Sequence, residues 1–204
     1  MKTVLLTGFE PFGNYTKNPS QDMAVHYNNK TLGTKQIIGV VLPCSYFGAF
    51  SILKKKINEH RPHMILSIGL ASQVKGIRFE TKFQNRMYSK YPDATGYAPV
   101  NKEILPGSKS FLYSHPIVST PLLNALRKED IPVEISNDAE SFVCNALGYL
   151  TARTITENKL LIQHIFIHIP WTDIYASQIL QEPEKVCLPE KMVQKAIELI
   201  IQRV

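Results

Sequence analysis

The sequence is poor in the features that build disulfide frameworks, metal clusters and membrane anchors. Its 204 residues contain three cysteines, Cys44, Cys144 and Cys187. This odd, widely spaced set excludes a complete disulfide framework and a four-cysteine zinc site. No apolar run approaches the ~20 residues that span a bilayer, and the first one ends at Leu6, short of the roughly 7–15 residues of a secretory signal. We therefore expect a cytoplasmic protein without a membrane partner, whose cysteines are free thiols.

The chain also lacks a concentrated excess of charge. It has 23 Lys+Arg against 17 Asp+Glu, a formal net charge of +6, and the basic residues are scattered apart from the short run 54–56. Nucleic-acid-binding surfaces concentrate basic residues on one face or along one helix, so we expect no nucleic-acid partner. A non-enzymatic module that binds acidic partners through a basic surface remains an alternative to an enzyme.

The composition is that of a folded protein. Hydrophobic residues make up 44% of the chain and charged residues 20%, which argues against disorder. The length predicts roughly one domain, so we expect a single α/β domain over residues 1–204.

Short apolar runs alternate with stretches of helical periodicity. The apolar runs predict strands at residues 4–7, 37–42, 64–68, 133–135 and 165–169. Helical spacing predicts helices at residues 45–60, 121–127, 141–156 and 192–201, and one more that begins at Asn18-Pro19, a favourable N-cap followed by a favourable first helical residue. This alternation is typical of a parallel sheet covered on both faces. We predict a three-layer α/β/α sandwich with a mostly parallel twisted sheet, and a hairpin with long surface loops within residues 76–118.

In such sheets the functional site lies beyond the carboxyl ends of the strands. Three segments follow predicted strand ends, namely residues 8–13, 69–80 and 168–171. We expect functional residues in these segments.

Cys144 lies near the predicted start of a helix. With Ser141 as the N-cap, Cys144 would occupy the third helical position, where unpaired N–H groups and the positive end of the helix dipole favour a thiolate. Such surroundings lower a cysteine pKa by about a unit or more and offer donors to an oxyanion. A buried structural cysteine among apolar neighbours is the alternative. Cys44 and Cys187 have no neighbouring pattern that indicates chemistry.

His168 ends an apolar strand, where a neutral imidazole can accept a thiol proton near pH 7. A carboxylate on its second nitrogen, for which Glu80 is a candidate, would set the tautomer and stabilise the imidazolium. The alternatives are a His168 bonded to a loop carbonyl and a Glu80 exposed on the surface. Asp138 and Glu140 are nearer to the cysteine in sequence and could compete for the acid's role, although helix capping explains them better.

His164 lies four residues before His168, so a strand would place both imidazoles on one face. A metal-binding pair is conceivable, but no third ligand is apparent in the sequence. We therefore expect neither a metal nor a cofactor.

The segment from Gly8 to Gly13 displays Phe9 and Phe12 on a turn bracketed by glycines. Its spacing fits neither the P-loop nor the dinucleotide-binding fingerprint. The two aromatic rings could line a small apolar pocket or simply pack the loop onto the domain.

Taken in order, these segments resemble the pyroglutamyl peptidase I family, also called pyrrolidone-carboxylate peptidase. The resemblance rests on LLTGFEPFG and NPS near the N-terminus, on Phe142-Val143-Cys144-Asn145, and on the segment from Phe166 to Pro170, and it extends over residues 3–170. It implies a cytosolic cysteine peptidase with an α/β/α fold that removes N-terminal pyroglutamyl residues from peptides and needs no metal. It also implies a homo-oligomer, a dimer or a tetramer.

The resemblance assigns a role to each candidate residue. It makes Cys144 the nucleophile, His168 the general base and Glu80 its acidic partner. A pocket for the lactam ring of the substrate would then be formed by Phe9, Phe12, Leu70, Phe142 and Val143.

The sequence departs from the family's usual pattern next to this pocket. The family's Gly-Gln-Ala-Gly-Gly-Arg is here the segment 69–74, in which Leu70 replaces the glutamine expected to bond the lactam and Val74 replaces the arginine. The family's glycine two residues after Asp138 is Glu140, and the arginine after the acidic residue is Thr81. The same fold and triad with altered acyl specificity, or with no turnover, is therefore a second hypothesis.

Overall fold

A seven-stranded sheet forms the centre of the computed structural model, which describes residues 1–114, 118–175 and 186–204. Its strands lie in the order β2-β3-β1-β4-β9-β5-β8. The strands are β1 (Lys2–Phe9), β2 (Thr31–Leu32), β3 (Lys35–Leu42), β4 (Met64–Leu70), β5 (Ile77–Glu80), β8 (Val133–Ser136) and β9 (Gln163–Ile169), with the short β6 (Lys82–Gln84), β7 (Phe111–Tyr113), β10 (Trp171–Thr172) and β11 (Cys187–Leu188) outside it. Neighbouring strands of the sheet run parallel, except β2 against β3 and β5 against β9.

Helices cover both faces of this sheet. The described helices are α1 (Pro19–Tyr27), α2 (Gly48–His60), α3 (Thr120–Lys128), α4 (Val143–Glu157) and α5 (Glu190–Arg203). One apolar core joins one face of the sheet to α1, α3 and α5, and a second core joins the other face to α2 and α4. This confirms the predicted α/β/α sandwich with a mostly parallel sheet. Within the described ranges, no helix combines the length and apolar character needed to cross a membrane.

The alternation of side chains along the central strands explains the two cores. In β1, Val4 and Leu6 belong to the first core and Leu5 to the second. In β9, Ile165 and Ile167 belong to the first core and Phe166 to the second. Successive strand residues point to opposite faces, so strands that are apolar throughout can bury both faces.

Helix α1 begins as the sequence predicts. The Asn18 side chain accepts a hydrogen bond from the Ser20 amide at 3.0 Å, and Pro19 is the first helical residue. The same asparagine donates to the Glu10 carbonyl at 3.1 Å. The loop after β1 is thereby fixed to the start of α1.

Helix α4 begins later than predicted. Its N-cap is Phe142, which makes no side-chain capping bond, and its first residue is Val143. Ser141 is therefore not the N-cap, and Cys144 is the second helical residue rather than the third. The cysteine is still within the first turn, where backbone N–H groups have no intrahelical acceptor.

The segment 76–118 is only partly the predicted hairpin. Strands β6 and β7 pair antiparallel across a long connection, as expected, whereas β5 joins the central sheet between β9 and β8. Residues 115–117 of this segment lie outside the described residues.

Candidate active site

Glu80 and His168 form a hydrogen-bonded pair on the face of the sheet that is covered by α4. The His168 Nδ1 atom lies 2.7 Å from the Glu80 Oε1 atom. Both residues are buried, with 1% of Glu80 and 5% of His168 exposed. The antiparallel pairing of β5 with β9 brings the two residues together from positions 88 apart in the sequence.

The surroundings of Glu80 favour its ionised form. Burial by itself raises the pKa of this carboxyl, but the hydrogen bond and charge of His168 and the charge of Arg78 outweigh it and lower the pKa below its usual value. An ionised carboxylate on Nδ1 holds the hydrogen on that nitrogen and leaves Nε2 free to accept a proton.

Arg78 is a further member of the site that the sequence analysis missed. Its Nε donates to the Oε1 atom of Glu80 at 2.8 Å, the same oxygen that lies against His168. The side chain is 20% exposed, yet its Nη2 atom is buried and has no hydrogen-bond partner among the described residues. The sequence could have shown that Arg78 lies beside Glu80, because residues two apart on a strand share a face.

Cys144 and His168 meet at Gly69, which is beside His168 in the register of β4 and β9. A Cβ atom built on Gly69 would lie 2.9 Å from the Cys144 Sγ and 3.0 Å from the His168 Nε2. The sulfur and the free ring nitrogen therefore border the same small space. Only a residue without a side chain leaves this space open.

The protonation of Cys144 differs from the expectation. Burial raises the pKa of the thiol well above its usual value, and the charges of Cys44, Glu80 and Glu140 raise it further, while Arg78 lowers it. The prediction that the helix start would lower this pKa is therefore wrong, because desolvation outweighs it. The resting cysteine is a thiol, although the residue retains some exposure to solvent.

Asn145 ties the first turn of α4 to the segment that follows Glu80. Its Oδ1 accepts from the Gln84 amide at 2.8 Å, and its Nδ2 donates to the carbonyls of Gln84 at 2.9 Å and Arg86 at 3.0 Å. The residue is completely buried. These bonds set the position of the neighbouring Cys144 relative to β5 and β6.

Two of the predicted pocket residues lie in a group of aromatic rings beside the cysteine. The centroids of Phe12 and Phe142 are 6.3 Å apart, and Tyr46 lies 5.5 Å from Phe142 and 5.9 Å from Tyr97. The Tyr46 hydroxyl donates to the Ser141 carbonyl at 3.2 Å. We call Phe12, Tyr46, Tyr97 and Phe142 the aromatic cluster.

The other three predicted pocket residues lie elsewhere. Phe9 and Val143 are buried in the second core. Leu70 packs instead in a separate group with Trp171 and Tyr175. The predicted set is thus divided among the aromatic cluster, the core and this third group.

His164 does not join His168. Phe166 lies between them on the same face, with its ring 5.2 Å from that of His168, and His164 stacks against Phe83 at 5.9 Å. Burial lowers the pKa of His164 to about 3, which keeps it neutral. Among the residues that the structure describes, no three potential ligands are close enough to hold a metal.

The remaining candidates lie outside the hydrogen-bonded pair. Asp138 is exposed and accepts bonds from the Gln84 side chain at 2.7 Å and the Glu140 amide at 3.0 Å. Glu140 has a φ of 62°, the left-handed conformation in which a glycine is unstrained. Cys44 is buried, and burial with neighbouring carboxylates raises its pKa to about 12. Cys187 is partly exposed, at the start of β11.

Comparison with known proteins gives the site its context. The family model for pyroglutamyl peptidase matches residues 2–203. The pyrrolidone-carboxylate peptidase of Thermococcus litoralis is 31% identical over 206 residues, and that of Bacillus cereus (strain B4264) is 33% identical over 202 residues. Each alignment covers 99% of this chain and 92% of the relative.

Solved structures of pyroglutamyl peptidases have the same fold as this chain. The pyrrolidone carboxyl peptidase from Thermococcus litoralis matches with a TM-score of 0.92 at 29% identity, over 99% of this chain and 92% of that one. The pyroglutamyl peptidase I of Bacillus amyloliquefaciens matches with a TM-score of 0.90 at 30% identity, over 98% and 94%. The resemblance seen in the sequence is confirmed. Because the family model and the relatives span almost the whole length, this chain belongs to the pyroglutamyl peptidase family.

Proposed function

We propose that the protein is a cysteine peptidase that removes N-terminal pyroglutamyl residues from peptides, with Cys144 as nucleophile, His168 as general base and Glu80 as its acidic partner. Membership of the pyroglutamyl peptidase family supports this activity. The observation that carries the residue assignment is the contact of His168 with Glu80 through Nδ1, while Nε2 borders the same space as the Cys144 sulfur.

The reaction begins with a proton transfer that accompanies attack. His168 Nε2 takes the proton of the Cys144 thiol as the sulfur attacks the pyroglutamyl carbonyl carbon, since the resting cysteine is protonated. The ionised Glu80 stabilises the imidazolium that results. We expect the backbone N–H groups of the first turn of α4, which have no intrahelical acceptor, to receive the oxyanion.

The second half of the reaction returns the site to its starting state. The tetrahedral intermediate collapses, the C–N bond breaks, and His168 gives its proton to the leaving amine. Water then attacks the thioester carbonyl while His168 accepts a proton from it, and pyroglutamate leaves as Cys144 regains its hydrogen. Atoms and charges balance without a metal or a redox cofactor.

The aromatic cluster is the proposed pocket for the lactam ring. Phe12 and Phe142 are both partly buried, and Phe142 directly precedes the first turn of α4. A lactam ring is small and uncharged, so flat apolar walls and a few amide hydrogen bonds must select it. Phe9 and Val143 would then support these walls from the core behind them.

Hydrolysis of a fluorogenic pyroglutamyl amide tests the proposal. Cys144→Ala should lower kcat by about 10⁴–10⁶, the range expected for loss of a nucleophile. Cys187→Ser, a cysteine at the start of β11, is the matched control and should retain activity. An inactive wild-type protein with an intact fold and reduced thiols, or an active Cys144→Ala variant, would contradict the proposal.

A second candidate, altered acyl specificity on the same triad, is favoured by one observation. Leu70, in place of the amide expected to bond the lactam, packs against the group of Trp171 and Tyr175. A lost amide partner removes about 1–3 kcal/mol of selective binding. This candidate predicts that iodoacetamide labels Cys144 faster than Cys44 or Cys187 while pyroglutamyl amides are not cleaved.

The resemblance to the family also supports a proposal about assembly and location. We expect a homo-oligomer, a dimer or a tetramer, in the cytoplasm. Light scattering on the purified protein measures the mass of the particle directly, for comparison with the 23.1 kDa chain.

A further inference from the structure

We propose that Arg78 is a positioning residue of this site, which holds the Glu80 carboxylate against His168 and supplies positive charge to the ionised nucleophile. The proposal rests on the function proposed above and adds a residue to it. Arg78 contacts Glu80 and lies beside His168 in the strand register.

Arg78 and His168 both contact the same carboxylate oxygen. A single oxygen of Glu80 receives the Arg78 Nε at 2.8 Å and lies 2.7 Å from the His168 Nδ1. Arg78 and His168 are register partners on the antiparallel strands β5 and β9, so their side chains lie on the same face of the sheet. Two donors on one oxygen fix the carboxylate more firmly than the imidazole alone could.

Burial makes Glu80 depend on a permanent positive charge. Glu80 has no exposed side-chain surface, and a buried carboxylate stays ionised only with a compensating charge and hydrogen bonds. His168 loses and gains its proton during turnover, whereas an arginine is always charged. Arg78 therefore keeps Glu80 ionised through the steps in which the imidazole is neutral.

Arg78 is poorly explained as a residue that only stabilises the fold. Its buried Nη2 has no hydrogen-bond partner among the described residues, which costs stability. Arg153 also donates from its Nε to a glutamate Oε1, that of Glu157, at 2.7 Å. That pair is exposed on α4, where ion pairs are ordinarily found. An arginine that is 20% exposed would be less costly on the open surface than beside the buried pair.

Arg78 also contributes positive charge around the nucleophile. The groups that act on Cys144 are Cys44, Glu80 and Glu140, which disfavour a thiolate together with burial, and Arg78, which favours it. The imidazole of His168 borders the same small space as the sulfur. Arg78 lowers the pKa of both Glu80 and Cys144, so its loss moves thiolate formation at Cys144 to higher pH.

The test is the pH dependence of iodoacetamide labelling at Cys144, followed by mass spectrometry, in Arg78→Gln. We expect the labelling curve to move to higher pH by about one unit and kcat on a pyroglutamyl amide to fall about 10- to 100-fold, with KM little changed. Arg153→Gln, which removes the matched exposed pair, should leave both unchanged. An Arg78→Gln labelling curve that coincides with the wild-type curve would overturn the proposal.

Arg78→Lys separates charge from geometry and serves where the glutamine variant does not fold. Lysine keeps the charge but not the Nε bond, so the labelling curve should stay near the wild-type curve while kcat falls. A folded Arg78→Lys with wild-type kcat would refute the positioning role. Labelling needs no turnover, so a wild-type protein that fails to cleave pyroglutamyl amides would contradict the proposed function and leave the Arg78 test intact.

Discussion

Replacing Gly69 by alanine should separate the sulfur from the imidazole with little other change. Gly69 lies within β4, and its backbone is not in the left-handed region, so alanine fits the chain there. The new methyl group would lie 2.8 Å from His168 Cδ2 and 2.9 Å from Cys144 Sγ, distances that real Cβ atoms essentially never show. The added methyl group therefore pushes the Cys144 sulfur and the His168 ring apart.

The size of the effect follows from these distances. Ordinary van der Waals contact begins at 3.4 Å, so the sulfur must withdraw by about 0.5 Å and the ring by about 0.6 Å. A misplacement of about 1 Å between reacting groups can cost roughly 10²-fold in rate. Overpacking of a buried site costs about 1–3 kcal/mol of unfolding free energy, which for a chain of this length lowers Tm by about 2–4 °C per kcal/mol.

The assay combines kcat/KM on a pyroglutamyl amide with a thermal melt. We expect Gly69→Ala to remain folded at 25 °C and to lose activity about 10²-fold, far more than its folded fraction explains. Gly48→Ala is the control, because its new methyl would meet the Ser45 hydroxyl at 3.1 Å and nothing of the site. A folded Gly69→Ala with activity within about threefold of wild type would refute the claim that catalysis passes between this sulfur and this ring.

Two further substitutions test the residues that hold His168 and Cys144 in position. Glu80→Gln should lower kcat by about 10²–10⁴, because an amide cannot stabilise the imidazolium. Since the pKa of Glu80 is lowered on folding, its ionised form adds stability above pH ~4.3 that is lost as the pH falls further, so the variant should lose less Tm than wild type as the pH falls from about 5 to about 3. Asn145→Ala should lower the free energy of unfolding by about 1–3 kcal/mol, because it leaves buried backbone groups of the β6 segment unpaired, and should reduce kcat/KM as Cys144 loosens. Asn158→Ala, which removes one exposed bond at the other end of α4, should show neither effect in urea unfolding and activity assays.

The parts of the fold that were predictable are those with local causes. Helix α1 starts where predicted because Asn18 and Pro19 act within one turn. The central strands were visible because they are apolar on both faces, and both β1 and β4 continue through the glycines expected to end them. The positions of these strands follow from short runs of apolar residues in the sequence.

The start of α4 was predicted wrongly because its cause is not local. Ser141 is a good N-cap by type, yet the cap is Phe142, which has no capping bond. The first turn is instead held by long-range hydrogen bonds, those of Asn145 to the β6 segment and that of Tyr46 to the Ser141 carbonyl. Residue preference at one position cannot reveal such partners.

The pairing of Glu80 with His168 depends on strand direction, which local sequence does not encode. Apolar strands and intervening helices predict parallel neighbours, but β5 runs antiparallel to β9. That reversal places Arg78 opposite His168 at the end of the strand, and Glu80 opposite Phe166, one step deeper in the sheet. The acid therefore approaches the imidazole from inside the protein, at the nitrogen turned away from the cysteine, and is shielded from water. A parallel β5 would have placed its last residues at the rim beside His168, where water would compete for the carboxylate and weaken its hold on the ring.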